Sequence, residues 1–269
     1  DKVGMVNFGP SLAGVKTLTD DIMAPTSAFA LMANDYMYKN DVSAEQIAAV
    51  AVKNHSNAAL NPFAHFQKKR TLEDILNEPK VAGVLTRAQC CPFGEGAAAV
   101  IVASDKALQD LGIDRSRSMR VTASVSCSEK VVEPGQTVIT EITKETILKA
   151  YQHAGISPDQ LDIVELHDAF SIEELVYVEA MGLCEQGEGA RKLESGAFHI
   201  GGSCAVNPSG GLLAMGHPFG PTGAGQIVEI TKQLRGENGP RQQPNAKCGL
   251  AHMVGIGQVC LVHILKKEG

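Results

Sequence analysis

Tryptophan is absent from the 269 residues, and no basic stretch exceeds a few residues. With a formal net charge of −6, the chain lacks the electrostatic footprint of a nucleic-acid binder, and nucleic acid is not an expected partner. No apolar run approaches the length of a membrane span, so no membrane role is expected either. Cysteines at metal-ligand spacing are missing too. The seven present (Cys90, Cys91, Cys127, Cys184, Cys204, Cys248, Cys260) are odd in number and show no C-x-x-C spacing. Neither a metal site nor a secreted disulfide framework is indicated, and reduced thiols fit a cytoplasmic location. What remains is ordinary globular composition, 44% hydrophobic and 20% charged, with enough chain for one large domain or two modest ones.

Glycine and proline concentrate in one stretch, Asn207-Pro-Ser-Gly-Gly-Leu-Leu-Ala-Met-Gly-His-Pro-Phe-Gly-Pro-Thr-Gly-Ala-Gly225, which runs into a helical pattern from Gln226 to Leu234. Glycine lets the backbone turn sharply and approach another group closely. A lone imidazole, His217, on such a turn near a helix start suits acid/base chemistry; the same pattern also serves as a structural loop whose histidine packs or caps.

The first ninety residues read as helices and loops. One helix runs from Ala24 to about Tyr38, a second from the capping box Ser43-Ala-Glu-Gln46 to about Asn54, and Thr71-Leu-Glu-Asp74 opens a short third. His55 and His65 lie in this part and are expected to be solvated or hydrogen-bonded rather than catalytic. Ala97 to Ser104 is small and β-branched without alternation, as in a strand covered on both faces. Asp105 to Leu111 reads as a helix and Met119 to Ser126 as a strand. Thr140 to Ala154 is an amphipathic helix with apolar Ile142, Ile147, Leu148 and Tyr151. Ile163 to Leu166 is a strand, Ser171 with Glu174 opens a helix to about Met181, and Arg191 to Gly202 reads as loop. Cys248 to Val254 and Gln258 to Ile264 read as a hairpin joined at Gly255-Ile-Gly257. Strands alternating with helices in the second half predict an α/β layered sheet.

Strand-to-helix corners bring side chains and backbone amides to one edge of such a sheet. Three corners qualify: His167-Asp-Ala-Phe170, Gly216-His217-Pro218 and Gly255-Ile256-Gly257. Two imidazoles and a glycine N–H suit acyl chemistry, activating a thiol and holding a carbonyl oxygen. Each corner also has a plain structural reading: a helix-cap neighbour facing solvent for His167, a tight hairpin for Gly255.

Taken together, the motifs resemble the thiolase superfamily, nearest to the thiolases of the sterol carrier protein X and lipid-transfer type. The pieces are Lys53-Asn-His55 with Asn61-Pro62, Gln89-Cys-Cys-Pro92 with Gly96-Ala-Ala-Ala99, Glu165-Leu-His-Asp-Ala-Phe170, Gly182-Leu-Cys184 with Gly187 and Gly189, Asn207-Pro-Ser-Gly-Gly211, Gly216-His-Pro218, Gln233-Leu-Arg-Gly236 and Gly255-Ile-Gly257. They run in order nearly end to end. The resemblance implies a layered αβαβα fold of two similar halves with an inserted loop domain, lacking here the first strands and helices of the N-terminal half. Residues 1–90 would then hold the loop domain and remainder of that half, 91–118 its last strand and helix, and 119–269 the C-terminal half. It implies acyl-CoA substrates with no permanently bound cofactor, a homodimer, and, in some relatives, a small OB-fold partner with a zinc motif. It assigns His217 to thiol activation and thioester-oxygen binding, His167 to the same oxyanion site, and the Gly255 backbone N–H to a second one.

Two departures matter. The family's nucleophilic cysteine lies on a helix start upstream of the loop domain, and no such segment is recognisable, so the chain is expected to begin at about the loop domain. Cys90 and Cys91 match a structural pair. The family's second cysteine, the acid/base at the α-carbon, is replaced by Ala169 or Met253, neither of which moves a proton. Cys204 and Cys127 are the thiols that could approach the site, though each is expected to be a buried small residue. Three functions follow: a thiolase-type acyltransferase, an acyl-CoA retro-aldolase, or a non-catalytic acyl-CoA-binding subunit. Aldolase relatives carry tyrosines where this chain has His167 and His217, which favours the first.

Overall fold

The computed structural model describes residues 24–128, 131–133, 136–255 and 259–268. In chain order the helices are α1 (Ala24–Asn40), α2 (Ala44–Ala58), α3 (Leu72–Leu76), α4 (Asp105–Asp110), α5 (Val138–Ala154), α6 (Ser171–Ala180), α7 (Gly189–Glu194), α8 (Gly211–Ala214) and α9 (Thr222–Arg235). The strands are β1 (Lys80–Ala82), β2 (Leu85–Thr86), β3 (Met119–Cys127), β4 (Ile163–Glu165), β5 (Ala205–Val206), β6 (Cys248–Gly255) and β7 (Val259–Lys267). β1 and β2 form a small ribbon; the other five make one mixed sheet in the order β3-β7-β6-β4-β5.

Two capping boxes open helices where the sequence places them. Ser43 with Gln46 starts α2, and Thr71 with Asp74 starts α3, each side chain bonding the other residue's backbone N–H. The predicted hairpin forms as β6 and β7, antiparallel with Leu250 opposite Ile264; Ile256 and Gly257 of its turn lie outside the described residues. β6 alternates strictly. Leu250 and Val254 join the core beneath α5 and α6, with His252 on that face against Thr143 of α5, while Ala251 faces Ile230 of α9. At Gly249 a Cβ would collide with the Ile230 side chain, so α9 needs glycine there to seat on the sheet. The result is three layers, α5 with α6, the sheet, and α9; of the layered αβαβα fold expected, the described residues build the layers around one sheet, and a second large sheet is not among them.

Several details correct the sequence reading. Residues 97–104 form no strand: Ile101 is 97% and Val102 84% exposed, because no neighbouring strand among the described residues takes their backbone hydrogen bonds. Arg191–Gly202 is not all loop. It begins inside α7, whose first residue, Gly189, donates its N–H to Glu179 Oε1. α9 begins four residues before Gln226, at Thr222, whose backbone N–H donates to the Pro218 carbonyl. In α5, Ile142, Ile147 and Tyr151 are buried but Leu148 is exposed, since it lies about 100° round the helix from Ile147. His55 is not solvated: it is buried against Phe66, and the polar group its ring meets is the Ala88 backbone. Burial, then the nearby Arg70 charge, pushes its pKa down to about 4. His65 is exposed, as expected.

Candidate active site

β5 and β6 both run parallel to β4 and flank it, with Val164 level with Val206 and Leu250. The C-terminal ends of three adjacent strands therefore share one edge of the sheet, and the corners of His167 and His217 and the described part of the third, Gly255, lie on it. β4 leads to His167, β5 to the glycine-rich stretch with His217, and β6 ends at Gly255 opposite Val259. The His167 and His217 rings meet edge to face, centroids 5.2 Å apart and planes at 89°. Gly255 occupies the same edge at the exposed end of its strand.

Each histidine is held through Nδ1. The His217 Nδ1 lies 2.9 Å from the Thr222 hydroxyl oxygen. That hydroxyl spends its only hydrogen on the Pro218 carbonyl, at 2.6 Å, so it accepts from the ring, and His217 carries its proton on Nδ1. Nε2 is then a bare lone pair, the form a general base needs. Burial, and secondly the His167 charge, pushes the His217 pKa down to about 4, so the ring is neutral at pH 7. His167 Nδ1 stands 3.2 Å from Glu173 Oε1. The fully buried Glu173 carboxylate also accepts from the Tyr177 hydroxyl at 2.9 Å and from the Phe170 backbone N–H at 2.9 Å. This last bond caps α6, so Glu173 rather than Glu174 closes its N-terminal box.

A buried polar network fixes the corners. Lys53 of α2 pairs with Glu174 at 3.0 Å and donates to Asn54 Oδ1 at 2.7 Å. Asn54 donates to Asp168 Oδ2 (2.7 Å) and Glu174 Oε2 (3.1 Å), and the Leu212 N–H donates to Asp168 Oδ1 (2.6 Å). The Leu166 N–H donates to Asn207 Oδ1 at 2.8 Å, which ties the His167 corner to the glycine-rich one. Burial, then the Glu174 charge, raises the Asp168 pKa well above the carboxylate range. Two glycines make this geometry possible. Gly211, at φ +61°, would place a Cβ 2.7 Å from Asp168 Oδ1, and Gly210, at φ +107°, would place one 2.5 Å from Ala58 Cβ. The Asn-Pro-Ser-Gly-Gly motif is thus a close approach of backbone to a buried carboxylate and to α2.

The family model described as "Thiolase C-terminal domain-like" matches residues 124–267, more than half of the chain and the segment holding both histidines. The chain belongs to the thiolase family. It is 38% identical over 252 residues to benzoylsuccinyl-CoA thiolase subunit BbsB of Thauera aromatica, covering 93% of this chain and 64% of that protein. To the acetyl-CoA acetyltransferase of Methanothermobacter thermautotrophicus it is 40% identical over 244 residues, covering 90% and 63%. Human sterol carrier protein 2 is 38% identical over 245 residues, covering 88% and 44%. The chain thus spans 44–64% of the length of these curated relatives. Among solved structures the fold matches the Ltp2-ChsH2(DUF35) aldolase with a TM-score of 0.78 at 22% identity, covering 95% of this chain and 69% of that one. It also matches a monomeric SCP2-thiolase like protein of Mycobacterium smegmatis with a TM-score of 0.69 at 17% identity, covering 93% and 52%.

The two alternative positions that the resemblance gives the family's second cysteine, Ala169 and Met253, carry no thiol. Ala169 is buried, and its carbonyl accepts from the Cys91 N–H at 2.8 Å. Met253 reaches to 4.0 Å from where a Cβ would stand on Gly223. Cys204 is buried beside Asp162, at the opposite end of β4 from His167. Cys127 lies at the end of β3, where it accepts from the Lys149 ammonium. Burial pushes the thiols up, to about 12 for Cys90 and Cys184 and about 11 for Cys248 and Cys260; such thiols are not nucleophiles at neutral pH. Sequence reasoning passed over Thr222 and Glu173. Glu173 could have been found from its spacing, three residues beyond Phe170, the capping distance once Phe170 is taken as the N-cap.

Proposed function

We propose that the chain forms the acid/base half of a thiolase-type acyltransferase that cleaves 3-oxoacyl-CoA thioesters or runs the reverse condensation. The observation that carries this reading is the edge-to-face pair of histidines, each held through Nδ1 by a partner of its own. In the proposed reaction His217 Nε2 takes the proton of an attacking thiol, and the resulting Nε2–H faces the oxygen that becomes negative. His167 and the Gly255 backbone N–H are the further donors to developing oxyanions. The nucleophilic cysteine comes from polypeptide outside the described residues, and coenzyme A is a substrate. A homodimer, and a small partner subunit, belong to the same reading. One relative is itself named as a subunit, and one solved neighbour is a two-component Ltp2-ChsH2 assembly.

The test is cleavage of acetoacetyl-CoA with free CoA. His217→Ala is expected to lower turnover by at least about a hundredfold, the scale of a positioned acid/base group. A near-wild-type rate in that variant contradicts the role. Cleavage of a 3-hydroxyacyl-CoA without CoA would instead assign retro-aldol chemistry, and acyl-CoA binding with neither reaction would assign a binding subunit.

A further inference from the structure

Breaking the Cα–Cβ bond of a 3-oxoacyl thioester leaves its electron pair on Cα as an enolate, which must gain a proton. Something at the site has to carry it, and the two positions that could hold a thiol there are Ala169 and Met253. Resting on the acyl-CoA reading above, we propose that His167 is the proton carrier at the substrate α-carbon and that Glu173 is the residue that positions it for this task.

Three observations carry the proposal. The Glu173 carboxylate is fully buried and every hydrogen bond it makes is one it accepts, from Tyr177, from the Phe170 N–H and from His167 Nδ1. A carboxylate that only accepts keeps the His167 Nδ1 proton in place and leaves Nε2 as the nitrogen that gains and loses protons. The neighbouring His217 is placed differently: its Nδ1 faces a neutral hydroxyl, and burial with the His167 charge holds it unprotonated. Two histidines 5.2 Å apart thus stand in unlike settings, one against a buried carboxyl group and one against a neutral oxygen. Finally, the side chain of His167 is 12% exposed whereas that of Glu173 is 0% exposed, so substrate can reach the imidazole but not the carboxylate.

The proton balance closes. As Cα–Cβ breaks, the Nε2 proton of the His167 imidazolium moves to Cα, leaving neutral imidazole with Nδ1–H on Glu173. The β-carbonyl carbon stays with the nucleophilic thiol as a thioester. The incoming CoA thiol then gives its proton to Nε2 as its sulfur attacks that thioester, and the released thiolate is the nucleophile of the next turn. Glu173 stays a carboxylate throughout. In reverse, neutral His167 removes an α-proton from an acyl-CoA.

The reverse half-step gives the test. The full chain is incubated with acetyl-CoA in heavy water, and loss of the methyl protons is followed by NMR. The nitrogens of ¹⁵N-labelled histidines are read by long-range ¹H–¹⁵N correlation. Glu173→Gln keeps the shape and the Phe170 cap, but its amide N–H points at Nδ1 and moves the ring proton to Nε2. The expected result is exchange slowed by roughly a hundredfold with KM unchanged, and a His167 tautomer inverted from Nδ1–H to Nε2–H. Wild-type exchange rates in Glu173→Gln would overturn the positioning role while leaving the acyl-CoA reading intact. Slowed exchange with an unchanged His167 tautomer would overturn it too, since the loss would then not act through His167. A wild-type chain that exchanges no α-protons would overturn the carrier together with the acyl-CoA reading. If Glu173→Gln fails to fold, the wild-type spectrum decides: Nδ1–H on neutral His167 supports the proposal, and Nε2–H refutes it.

Discussion

Replacing Thr222 by valine keeps the shape of a side chain only 2% exposed and deletes one hydroxyl. That hydroxyl does two things: it donates to the Pro218 carbonyl and accepts from His217 Nδ1. Without it, a neutral His217 with its proton on Nδ1 holds an unpartnered donor in a buried place, at a cost of about 1–3 kcal/mol. The tautomer with the proton on Nε2 escapes that cost, so the equilibrium turns toward it by roughly 5- to 150-fold across that range. Nε2 then accepts in fewer molecules, and turnover should fall by up to the same factor. The assay does not depend on turnover: ¹⁵N spectra should show Nδ1–H, bare Nε2 in the wild type at pH 7, and mixed or inverted protonation in Thr222→Val. The wild-type ring should stay neutral down to about pH 5, because burial and His167 hold its pKa at about 4. A wild-type His217 found with its proton on Nε2, or charged at pH 6, would refute both the hydrogen-bond assignment and the base.

Gly211→Ala combines a left-handed φ of +61° with a Cβ driven into the Asp168 carboxylate, whereas Gly196→Ala shares a left-handed φ of +84° and meets nothing within 4 Å. Urea unfolding should show about 1 kcal/mol lost at 196 and at least about 3 at 211; equal losses would mean the close approach is not there. His55, His217 and His252 are held down to about 4, 4 and 3, each first by burial. Their folded pKa values lie below the unfolded 6.5, so the stability they carry is present above that pH and lost as pH falls through 4. The urea midpoint should drop steeply from pH 6.5 to 4, and His55→Leu should flatten part of that slope. Glu165 is pushed up to about 8 by burial, then by the Glu229 charge. Its contribution is therefore present below about pH 4.5 and lost as pH rises through 8. Glu165→Gln should make the fall of the midpoint between pH 4.5 and 8 shallower, the rest of it belonging to Asp168, whose pKa is also raised; an unchanged slope would refute the assignment.

Most of the architecture was legible because local signals and the sheet agree. Capping signals at Ser43 and Thr71 and the two apolar runs joined at Gly255 point to the helices and the hairpin that form. The site was legible as corners, since His167 and His217 sit where strands end. What holds them was not. Thr222 and Glu173 act through orientation: Glu173 and Glu174 are both buried, and which of them caps the helix depends on the N-cap falling at Phe170 instead of Ser171. The strand expected at 97–104 failed for a different reason. Its pattern reports the surroundings a segment is built for, and pairing partners are not part of that pattern.

That same uncharged run, Ala97 to Val102, lies open to water with Val100, Ile101 and Val102 all exposed. A backbone run without strand partners that carries exposed β-branched side chains is a template on which like segments of other copies can stack. In isolation the polypeptide therefore carries its own seed for concentration-driven clumping, far in kind from the chemistry of the histidine edge. Any preparation of it will behave best dilute, or with a lysine placed at 101 as a gatekeeper.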